Sequence, residues 1–400
     1  MKKNKTWNQH VVKKENKSLV LTTIRTHSPI SRADIASLTG LNKGTVSSLV
    51  SDLLEEKLIY ESGPGESNGG RRPVMLLFNQ QAGYSIGIDL GVNYILGVLT
   101  DLEGTICHEK LVKFKNLSYE EIEIKLFEIV NDLMDHAPLS PYGVIGIGIG
   151  VPGTVSKSGE ILLAPNLGWK NVDLQTVLEE KYDLPVMIEN EANAGAYGEK
   201  KFGVGKDFNH IVYVSVGIGI GVGLILNGHL YKGKNGFSGE LGHMTIETGG
   251  TKCRCGNEGC WELYASEQAL IKNAEKSHIT EIPMEELSLE SLITIAEHGQ
   301  SDAIKLFTQI GDYLGIGINN IINTFNPEQV IIGNRMASAE EWLTEPLKNR
   351  MVKQTLWFQQ QDLQINFAEL STHSSALGVA AFSVENFFMS EMKKLKVIEL

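Results

Sequence analysis

The spacing of apolar residues at the start of the chain predicts a helix-turn-helix. Apolar side chains recur at helical intervals over 12–26, which indicates a first helix. A second helix is expected over Arg32–Thr39, because Ser31 suits its N-terminal cap and Gly40 its C-terminal cap. A third and longer helix is expected over 43–57. A short helix, a glycine-containing turn and a longer helix form the helix-turn-helix pattern.

A β-hairpin wing is predicted after the third helix. The segments 58–62 and 73–78 have strand-like patterns and flank a tip, 63–70, that is rich in glycine, serine and asparagine. Arg71 and Arg72 follow this tip, where their guanidinium groups can reach phosphates or a DNA minor groove. The head is therefore expected to be a winged helix-turn-helix, and a small helical cap with a linker is the alternative.

The remaining pattern predicts two lobes of the same kind. In the first lobe, a strand, its hairpin partner, a third strand, an amphipathic helix and a buried strand are expected over Tyr84–Leu90, 95–100, Ile106–Lys113, 120–136 and 144–150. In the second, a strand, a glycine-dense turn, a return strand, a long helix and a buried strand are expected over Ile211–Val216, 217–223, 224–227, 303–324 and 328–333. Each order is that of an actin-like (ribonuclease-H-like) α/β lobe, and two such lobes enclose a ligand cleft.

We therefore predict an α/β fold with three domains: a winged helix-turn-helix DNA-binding domain at 1–80, lobe I at 81–203 and lobe II at 204–400. A closing helix at 377–388 is expected to pack back on lobe I. The glycines at 311, 315 and 317 along the long helix of lobe II favour close packing, either at a lobe or subunit contact or simply to relieve crowding.

Charge divides the chain in the same way. The whole chain has a formal net charge of −12, which by itself argues against nucleic-acid binding. Residues 1–50, however, carry nine Lys or Arg against Glu15 and Asp34, a net charge of +7 that leaves −19 for the rest. A basic head on an acidic body indicates that the head is the part that meets a polyanion.

The candidate DNA contacts lie around the start of the third helix and in the wing. In helix-turn-helix proteins the first residues of the second helix of the motif enter the major groove. Lysine suits phosphate or guanine, and hydroxyl groups suit phosphates and base edges. The predicted set is Arg32, Asn42, Lys43, Thr45, Ser47, Ser48, Arg71 and Arg72.

Composition excludes several other classes of protein. No apolar run approaches the ~18 residues of a membrane span, so no membrane partner is expected. The basic start of the chain lacks the apolar run of a signal peptide, which predicts a cytoplasmic protein. Four cysteines in 400 residues do not make a disulfide scaffold.

Three of the four cysteines cluster at Cys253, Cys255 and Cys260, and His243 lies ten residues upstream of the first. Three thiolates and one imidazole form a ligand set of structural zinc sites, so Zn²⁺ is the expected cofactor. Three incidental buried thiols are the alternative. Cys107 stands alone in a predicted strand and is expected in the core.

The same segment carries a family signature. Glu240-Leu-Gly-His243, followed by Cys253-Arg-Cys-Gly-Asn-Glu-Gly-Cys260-Trp-Glu262, resembles the signature of the ROK family of repressors and sugar kinases. Shorter similarities extend over nearly the whole chain, at Asp89-Leu-Gly91, Gly150-Val-Pro-Gly153, Pro165-Asn166-Leu167, Glu189-Asn-Glu-Ala-Asn193, 217–223 and Asn326-Pro-Glu328. The winged head is similar to the repressor branch, and the chain most resembles the repressors in it that respond to xylose.

The resemblance implies a sugar in the cleft, held by Asn166, Asn190, Glu191, Glu240, His243 and Glu262. Carboxylates, amides and an imidazole can hold vicinal hydroxyl groups through paired donor and acceptor bonds. In the family the histidine binds zinc, so the resemblance also implies that the metal and sugar sites are joined.

An ATP-dependent sugar kinase is the rival hypothesis, because the family has an enzyme branch. Its kinases carry Asp-x-Gly-Gly-Thr-Lys as first phosphate loop, where this chain has Asp89-Leu-Gly-Val-Asn-Tyr94 without the second glycine and the lysine. Ile218 replaces a threonine in the second loop, and Gly333-Asn-Arg335 replaces a glycine pair. Glu191 stands where the kinases carry their catalytic aspartate. Its extra methylene displaces the carboxylate by roughly an ångström. These departures predict a sensor with no catalytic residues.

The sequence thus predicts a sugar-responsive repressor of a xylose-utilisation operon. It is expected to bind operator DNA as a homodimer and to be released by D-xylose in the cleft. A repressor that senses glucose or an amino sugar stays open, because these repressors would share the pocket residues.

Overall fold

The computed structural model describes residues 9–64, 72–277, 283 and 286–394. Arg71 and most of the predicted wing tip lie outside these residues. The described part begins with a helical head that carries a small sheet and continues with two α/β lobes. The α/β fold class expected from the sequence is confirmed.

The head combines helices with a three-stranded sheet in the order β1-β3-β2. Its elements are α1 (Gln9–His27), β1 (Ile30–Ser31), α2 (Arg32–Thr39), α3 (Lys43–Glu55), β2 (Ile59–Pro64) and β3 (Val74–Phe78). The predicted hairpin is confirmed, and β1 adds a short strand that the sequence did not indicate. Helix α3 ends at Glu55 and not at 57, because Lys57 has a left-handed φ of 58°.

Side chains cap the two helices of the motif. Ser31 Oγ accepts a hydrogen bond from the backbone N–H of Asp34 at 3.2 Å, and Gly40 ends α2 with a φ of 71°. Asn42 Oδ1 accepts from the backbone N–H of Thr45 at 2.8 Å. These bonds satisfy N–H groups that the helix itself leaves unpaired, so they define where α2 and α3 begin.

Lobe I is built on a five-stranded sheet in the order β11-β7-β4-β5-β6. Its elements are β4 (Tyr84–Leu90), β5 (Tyr94–Asp101), β6 (Ile106–Lys113), α4 (Tyr119–Asp135), β7 (Val144–Val151), β8 (Thr154–Val155), β9 (Ile161–Ala164), β10 (Trp169–Val172), α5 (Leu174–Tyr182), β11 (Val186–Asn190) and α6 (Glu191–Phe202). Strand β4 pairs antiparallel with β5 and parallel with β7. Cys107 is exposed at the start of the edge strand β6, so its predicted core position is wrong.

Lobe II repeats this plan in the order β14-β13-β12-β15-β16. Its elements are β12 (Ile211–Val216), β13 (Ile220–Leu226), β14 (His229–Leu230), α7 (Glu262–Ala265), α8 (Glu267–Lys276), α9 (Leu289–Glu297), α10 (Ser301–Phe325), β15 (Gln329–Gly333), α11 (Glu340–Gln354) and β16 (Gln364–Phe367). Strand β12 pairs antiparallel with β13 and parallel with β15, as β4 does with β5 and β7. The repeat read from the sequence is therefore present.

The glycine-dense segment of lobe II differs from its prediction. The turn covers only 217–219, and β13 begins at Ile220, before the predicted return strand at 224–227. Gly221 and Gly223 lie inside β13 because α6 crosses it closely. A Cβ on Gly223 would stand 2.3 Å from the Ala192 carbonyl oxygen. These glycines thus allow a helix to contact a strand and do not form the turn.

Helix α12 (Ser374–Lys394) is longer than predicted and packs against β4, β7 and α6. Its last turns also reach the head, where Val384 and Phe387 share a buried core with residues of α1 and α3. Arg25 of α1 lies over the Phe388 ring at 4.8 Å, and its Nε donates to Glu103 Oε1 at 2.8 Å. The head therefore shares a hydrophobic core with α12. The predicted domain limits at 80 and 203 stay predictions.

The three glycines of α10 pack within lobe II. A Cβ on Gly315 would lie 2.7 Å from Arg350 Cβ of α11, and one on Gly317 would lie 2.0 Å from the Trp261 ring. The glycines therefore relieve crowding beside a helix and an indole, which was the simpler of the two expectations.

None of the helices among the described residues combines the length and the apolar character that crossing a bilayer requires.

The contact between Lys17 of α1 and Glu56, just after α3, predicts an effect on stability. Lys17 is 2% exposed, and its Nζ contacts Glu56 Oε1. Glu56→Ala would leave a buried ammonium without its counter-charge, so we expect the free energy of unfolding to fall by roughly 2–3 kcal/mol. Urea unfolding followed by circular dichroism measures this loss. The neighbouring exposed Glu55→Ala is the control, and equal losses in both variants would contradict the prediction.

Candidate functional site

A cleft of about 470 Å³ lies between the two lobes. Lobe I contributes the β4–β5 turn, the loop after β7 and the start of α6, and lobe II contributes the turn before β13 and the cysteine segment. All six predicted sugar ligands line this cleft: Asn166, Asn190, Glu191, Glu240, His243 and Glu262. The structure brings the set together, and the role of its members in binding stays a prediction.

Asn190, one of these six residues, has a structural role as the N-terminal cap of α6. Its Oδ1 accepts from the backbone N–H groups of Ala192 at 2.9 Å and Asn193 at 3.1 Å, which caps α6. Its Nδ2 donates to the Gly153 carbonyl oxygen at 2.9 Å. One N–H of the amide is left for a ligand, so Asn190 mainly holds the start of α6 in place.

Polar side chains already bridge the lobes across the cleft. Thr154 Oγ1 of lobe I donates to Glu240 Oε1 of lobe II at 3.1 Å. Arg254 Nη1 donates to Asn166 Oδ1 at 3.3 Å. Lys232 pairs with the buried Glu189 at 2.6 Å. Arg254 and Lys232 were not among the predicted residues, because their partners are distant in sequence and single basic residues give no signal of their own.

Two interacting carboxyl groups lie on the lobe I side of the cleft: Asp89 is buried in β4, and Glu191 is half-buried and lines the cleft. Burial raises the pKa of Asp89 to about 6, although hydrogen bonds work against this shift. Burial and the nearby Asp89 together raise the pKa of Glu191 to about 8. The raised pKa favours the protonated form of Glu191, which offers an O–H donor to a ligand.

Tyr94 fills the space beside the first phosphate-like loop. Its hydroxyl donates to Asp89 Oδ2 at 2.5 Å, and its ring lies so close to Gly91 that a Cβ there would be 2.2 Å from ring carbon Cε1. The sequence shows that Tyr94 replaces the lysine of the kinase loop, but it does not show where the Tyr94 side chain lies. The loop thus contacts a side chain of its own lobe.

The corresponding part of lobe II is also occupied by protein groups. The Arg335 guanidinium makes two bonds to the Glu267 carboxylate, at 2.9 and 3.0 Å. Asn334 Nδ2 donates to Ser215 Oγ at 2.9 Å. The segment that replaces the glycine pair therefore contributes an ion pair and an amide to this side of the cleft.

The cysteine segment forms a compact knuckle at the edge of the cleft. The donor atoms of His243, Cys253, Cys255 and Cys260 lie within 4.8 Å of one another. Cys255 and Cys260 have their Sγ atoms 3.7 Å apart. Zinc at about 2.3 Å from each thiolate would separate tetrahedral sulfur ligands by about 3.8 Å. Both the geometry and the donor types fit a structural zinc ion.

Glu262 connects the knuckle with the predicted sugar site. Its Oε1 lies 3.3 Å from Cys253 Sγ and 3.4 Å from His243 Nδ1. The same carboxylate lines the cleft. The proximity of metal and sugar residues that the family resemblance implies is therefore present in the described residues.

The predicted DNA contacts divide into free and engaged side chains. Lys43, Ser47 and Ser48 are exposed on α3, whereas Thr45 is half-buried. The Asn42 amide caps α3, and Arg32 Nη2 bonds Glu61 Oε1 of the wing at 3.0 Å. Arg72 is exposed. The exposed α3 residues form the surface that the motif would present to a major groove.

Comparison with protein families and curated proteins gives near full-length matches. The ROK family model matches residues 85–385. The xylose repressor of Bacillus subtilis (strain 168) is 45% identical over 379 residues, which cover 95% of this chain and 97% of the relative. The N-acetylglucosamine repressor of Escherichia coli O157:H7 is 28% identical, over 94% of this chain and 93% of the relative. Both alignments include most of the head.

Solved structures agree with these matches. A ROK family transcriptional regulator, a homolog of the E. coli MLC protein, superimposes with a TM-score of 0.81 and 29% identity, over 96% of this chain and 98% of that one. A ROK family glucokinase from Streptomyces griseus, in complex with glucose and AMPPNP, gives a TM-score of 0.70 and 27% identity, over 75% of this chain and 99% of that one. The transcriptional regulator therefore covers a larger share of this chain than the kinase.

The raised pKa of Glu191 predicts how stability depends on pH. In the unfolded chain this carboxyl loses its proton near pH 4.5, and in the folded chain near pH 8. The stability that the proton contributes is present below about pH 4.5 and is lost as pH rises through 8. We expect Glu191→Gln to gain roughly 1–3 kcal/mol over the wild type between about pH 5 and pH 8.

Urea unfolding of both proteins at several pH values measures this difference. The exposed Glu160→Gln is the control, and its difference from the wild type should stay constant with pH. A pH-independent difference for Glu191→Gln would show that the group ionises normally.

Proposed function

The chain belongs to the ROK family, and from this premise we propose that D-xylose, bound between the lobes, releases it from operator DNA. Sugar-responsive transcriptional repression is its function, as the near full-length match to repressors supports. Xylose as the sugar is supported by the 45% identity to the B. subtilis xylose repressor. A repressor that responds to glucose or an amino sugar is the second candidate, because an N-acetylglucosamine repressor and a glucokinase with bound glucose are both similar to this chain.

The proposal depends on one observation. A winged head is joined to a cleft that is lined by the six predicted sugar-binding residues, and the residues on the phosphate-loop side of this cleft bond to other groups of the protein. The exposed Lys43, Ser47 and Ser48 on α3 supply the types of donor that read phosphates and base edges. The cleft supplies carboxyl, amide and imidazole groups for sugar hydroxyls. A protein with both elements can couple a sugar to DNA.

Kinase activity is not part of the proposed function. Tyr94 lies against Gly91, where backbone N–H groups would have to approach a phosphate. Arg335 is engaged by Glu267. Both features argue against nucleotide binding.

We propose that His243, Cys253, Cys255 and Cys260 hold a structural Zn²⁺. When bound, the metal would cross-link the knuckle, because all four ligands are then tied to one ion. His243 and Glu262 belong to the predicted sugar set, so the knuckle would position both for the ligand.

For regulation we propose a homodimer that places two heads on a pseudo-palindromic operator. The sugar must bind the DNA-incompetent state more tightly, since only a difference in affinity shifts the equilibrium. The polar bridges between lobes, such as Thr154 with Glu240, lie where a bound sugar would change the contact.

Glu262→Ala should separate DNA binding from induction. Removal of a carboxylate that accepts from sugar hydroxyls costs about 1.5–3 kcal/mol, so we expect at least a tenfold loss in xylose affinity. Operator affinity should change less than about twofold, because Glu262 lies in the cleft and not in the head. The DNA duplex for this test is first selected from random DNA with the purified protein. Fluorescence anisotropy of that duplex then measures operator affinity, and its change as xylose is added measures xylose affinity.

Glu258→Ala, an exposed residue of the same knuckle, is the matched control. Unchanged release by xylose in Glu262→Ala would remove the cleft from the proposal. Sugar-dependent ADP release from ATP by the wild type would instead favour the kinase.

Cys255→Ser should test the metal separately. We expect zinc content to fall well below one ion per chain and the melting temperature to drop by roughly 5 °C, because the knuckle loses a ligand. Elemental analysis and thermal unfolding measure these values. Cys107→Ser, at the exposed thiol of β6, should change neither. Full zinc content in Cys255→Ser would contradict the ligand set.

A further inference from the structure

A second cavity, of about 750 Å³, adjoins the cleft on the far side of Glu262. It lies between the knuckle, α8 and α10. Five residues line both spaces: Asn166, Ile218, Gly219, Arg254 and Glu262. The two spaces therefore meet along one boundary, and a ligand held by Glu262 borders both.

Gly219 keeps that boundary narrow. A Cβ at this position would stand 2.8 Å from Glu262 Oε2, so the glycine lets the carboxylate lie against the turn before β13. Arg254 stands at the same boundary and donates to Asn166. A sugar hydroxyl at this point meets a carboxylate acceptor and a guanidinium donor, which are strong partners for it.

The lining of the cavity suits a sugar ring. Tyr264 and Tyr313 lie with ring centroids 5.2 Å apart, and Tyr264 Oη accepts from the Thr251 backbone N–H at 2.9 Å, which fixes the ring. Gln268 of α8 and Gln309 of α10, both exposed, add side-chain amides to the lining. Aromatic carbon and amide groups together match the apolar faces and hydroxyl edges of a pyranose.

This cavity shares Ile218 and Gly219 of the second phosphate-like loop with the cleft, but it does not reach the other two nucleotide-side segments. Gly91, Asn334 and Arg335 line the cleft and not this cavity. Lys252 and Lys272 line it, and neither has an ion pair among the described residues. Lysine ammonium groups donate to hydroxyl oxygens, so they are compatible with a neutral sugar as well as with an anion.

We propose that this cavity is a second sugar subsite, so that the chain also takes a xylose disaccharide with one ring in the cleft and the other against Tyr264 and Tyr313. The inference rests on the proposed function, because it assumes that the first ring occupies the cleft. Xylobiose is the probe. The second ring would add contacts that D-xylose alone does not make.

Isothermal titration of the zinc-loaded, full-length protein with xylose and with xylobiose tests the subsite. Gln309→Trp on α10 would place an indole in the cavity, and we expect it to weaken xylobiose binding at least tenfold and xylose binding less than twofold. Thr308→Trp is the matched control, because Thr308 is the exposed neighbour on α10 and does not line the cavity. It should leave both affinities unchanged.

The outcomes distinguish failure of the second sugar subsite from failure of the proposed function. Xylose binding without xylobiose binding overturns the subsite and leaves the proposed function in place. Binding of neither sugar by the wild type refutes both. Equal xylobiose affinity in the wild type and Gln309→Trp also overturns the subsite. If Gln309→Trp lowers xylose affinity as well, Gln268→Trp on α8 repeats the comparison, and equal losses of both sugars there overturn the subsite.

Discussion

Close backbone contact between α12 and lobe I is the constraint on which the rest of this molecule depends. A Cβ on Gly148 would stand 2.3 Å from the Val379 carbonyl oxygen, and one on Gly378 would stand 1.8 Å from that of Ala194. Any side chain at these positions would push the helix away. Because the glycines admit it, α12 begins beside Asp89, where Ser375 lies, and ends in the hydrophobic core of the head with Phe387. One helix therefore contacts both the buried Asp89 of lobe I and the hydrophobic core of the head.

Protein groups occupy the places where a phosphorylating relative would need empty space and positive charge. Tyr94 bonds Asp89, Asn334 bonds Ser215, and Arg335 is held by Glu267. Each interaction satisfies a polar group that burial would otherwise penalise. The cleft keeps its predicted sugar ligands, while on its phosphate-loop side these polar groups are engaged by other groups of the protein.

The sequence predicted those interactions that form between residues close together along the chain. The caps at Ser31 and Asn42, the zinc-type set around Cys253 and the repeated lobe order were all predicted, since each depends on spacing within one segment. Contacts between distant segments were not. The Arg254–Asn166 and Lys232–Glu189 bridges join parts of the chain whose approach no local pattern encodes. The glycines of β13 were misread as a turn for the same reason, because their cause is the crossing helix α6.

The sequence by itself determined the fold class, the winged head, the family and the residues of the candidate site. It could do so because periodicity, helix caps and the cysteine spacing are short-range properties. Only the tertiary structure decided how those residues are used: Asn190 as a helix cap, Glu191 as a protonated carboxyl, Arg32 as a partner of the wing. Burial, pKa and the pairing of charges depend on which distant groups surround an atom, and that environment exists only once the chain has folded.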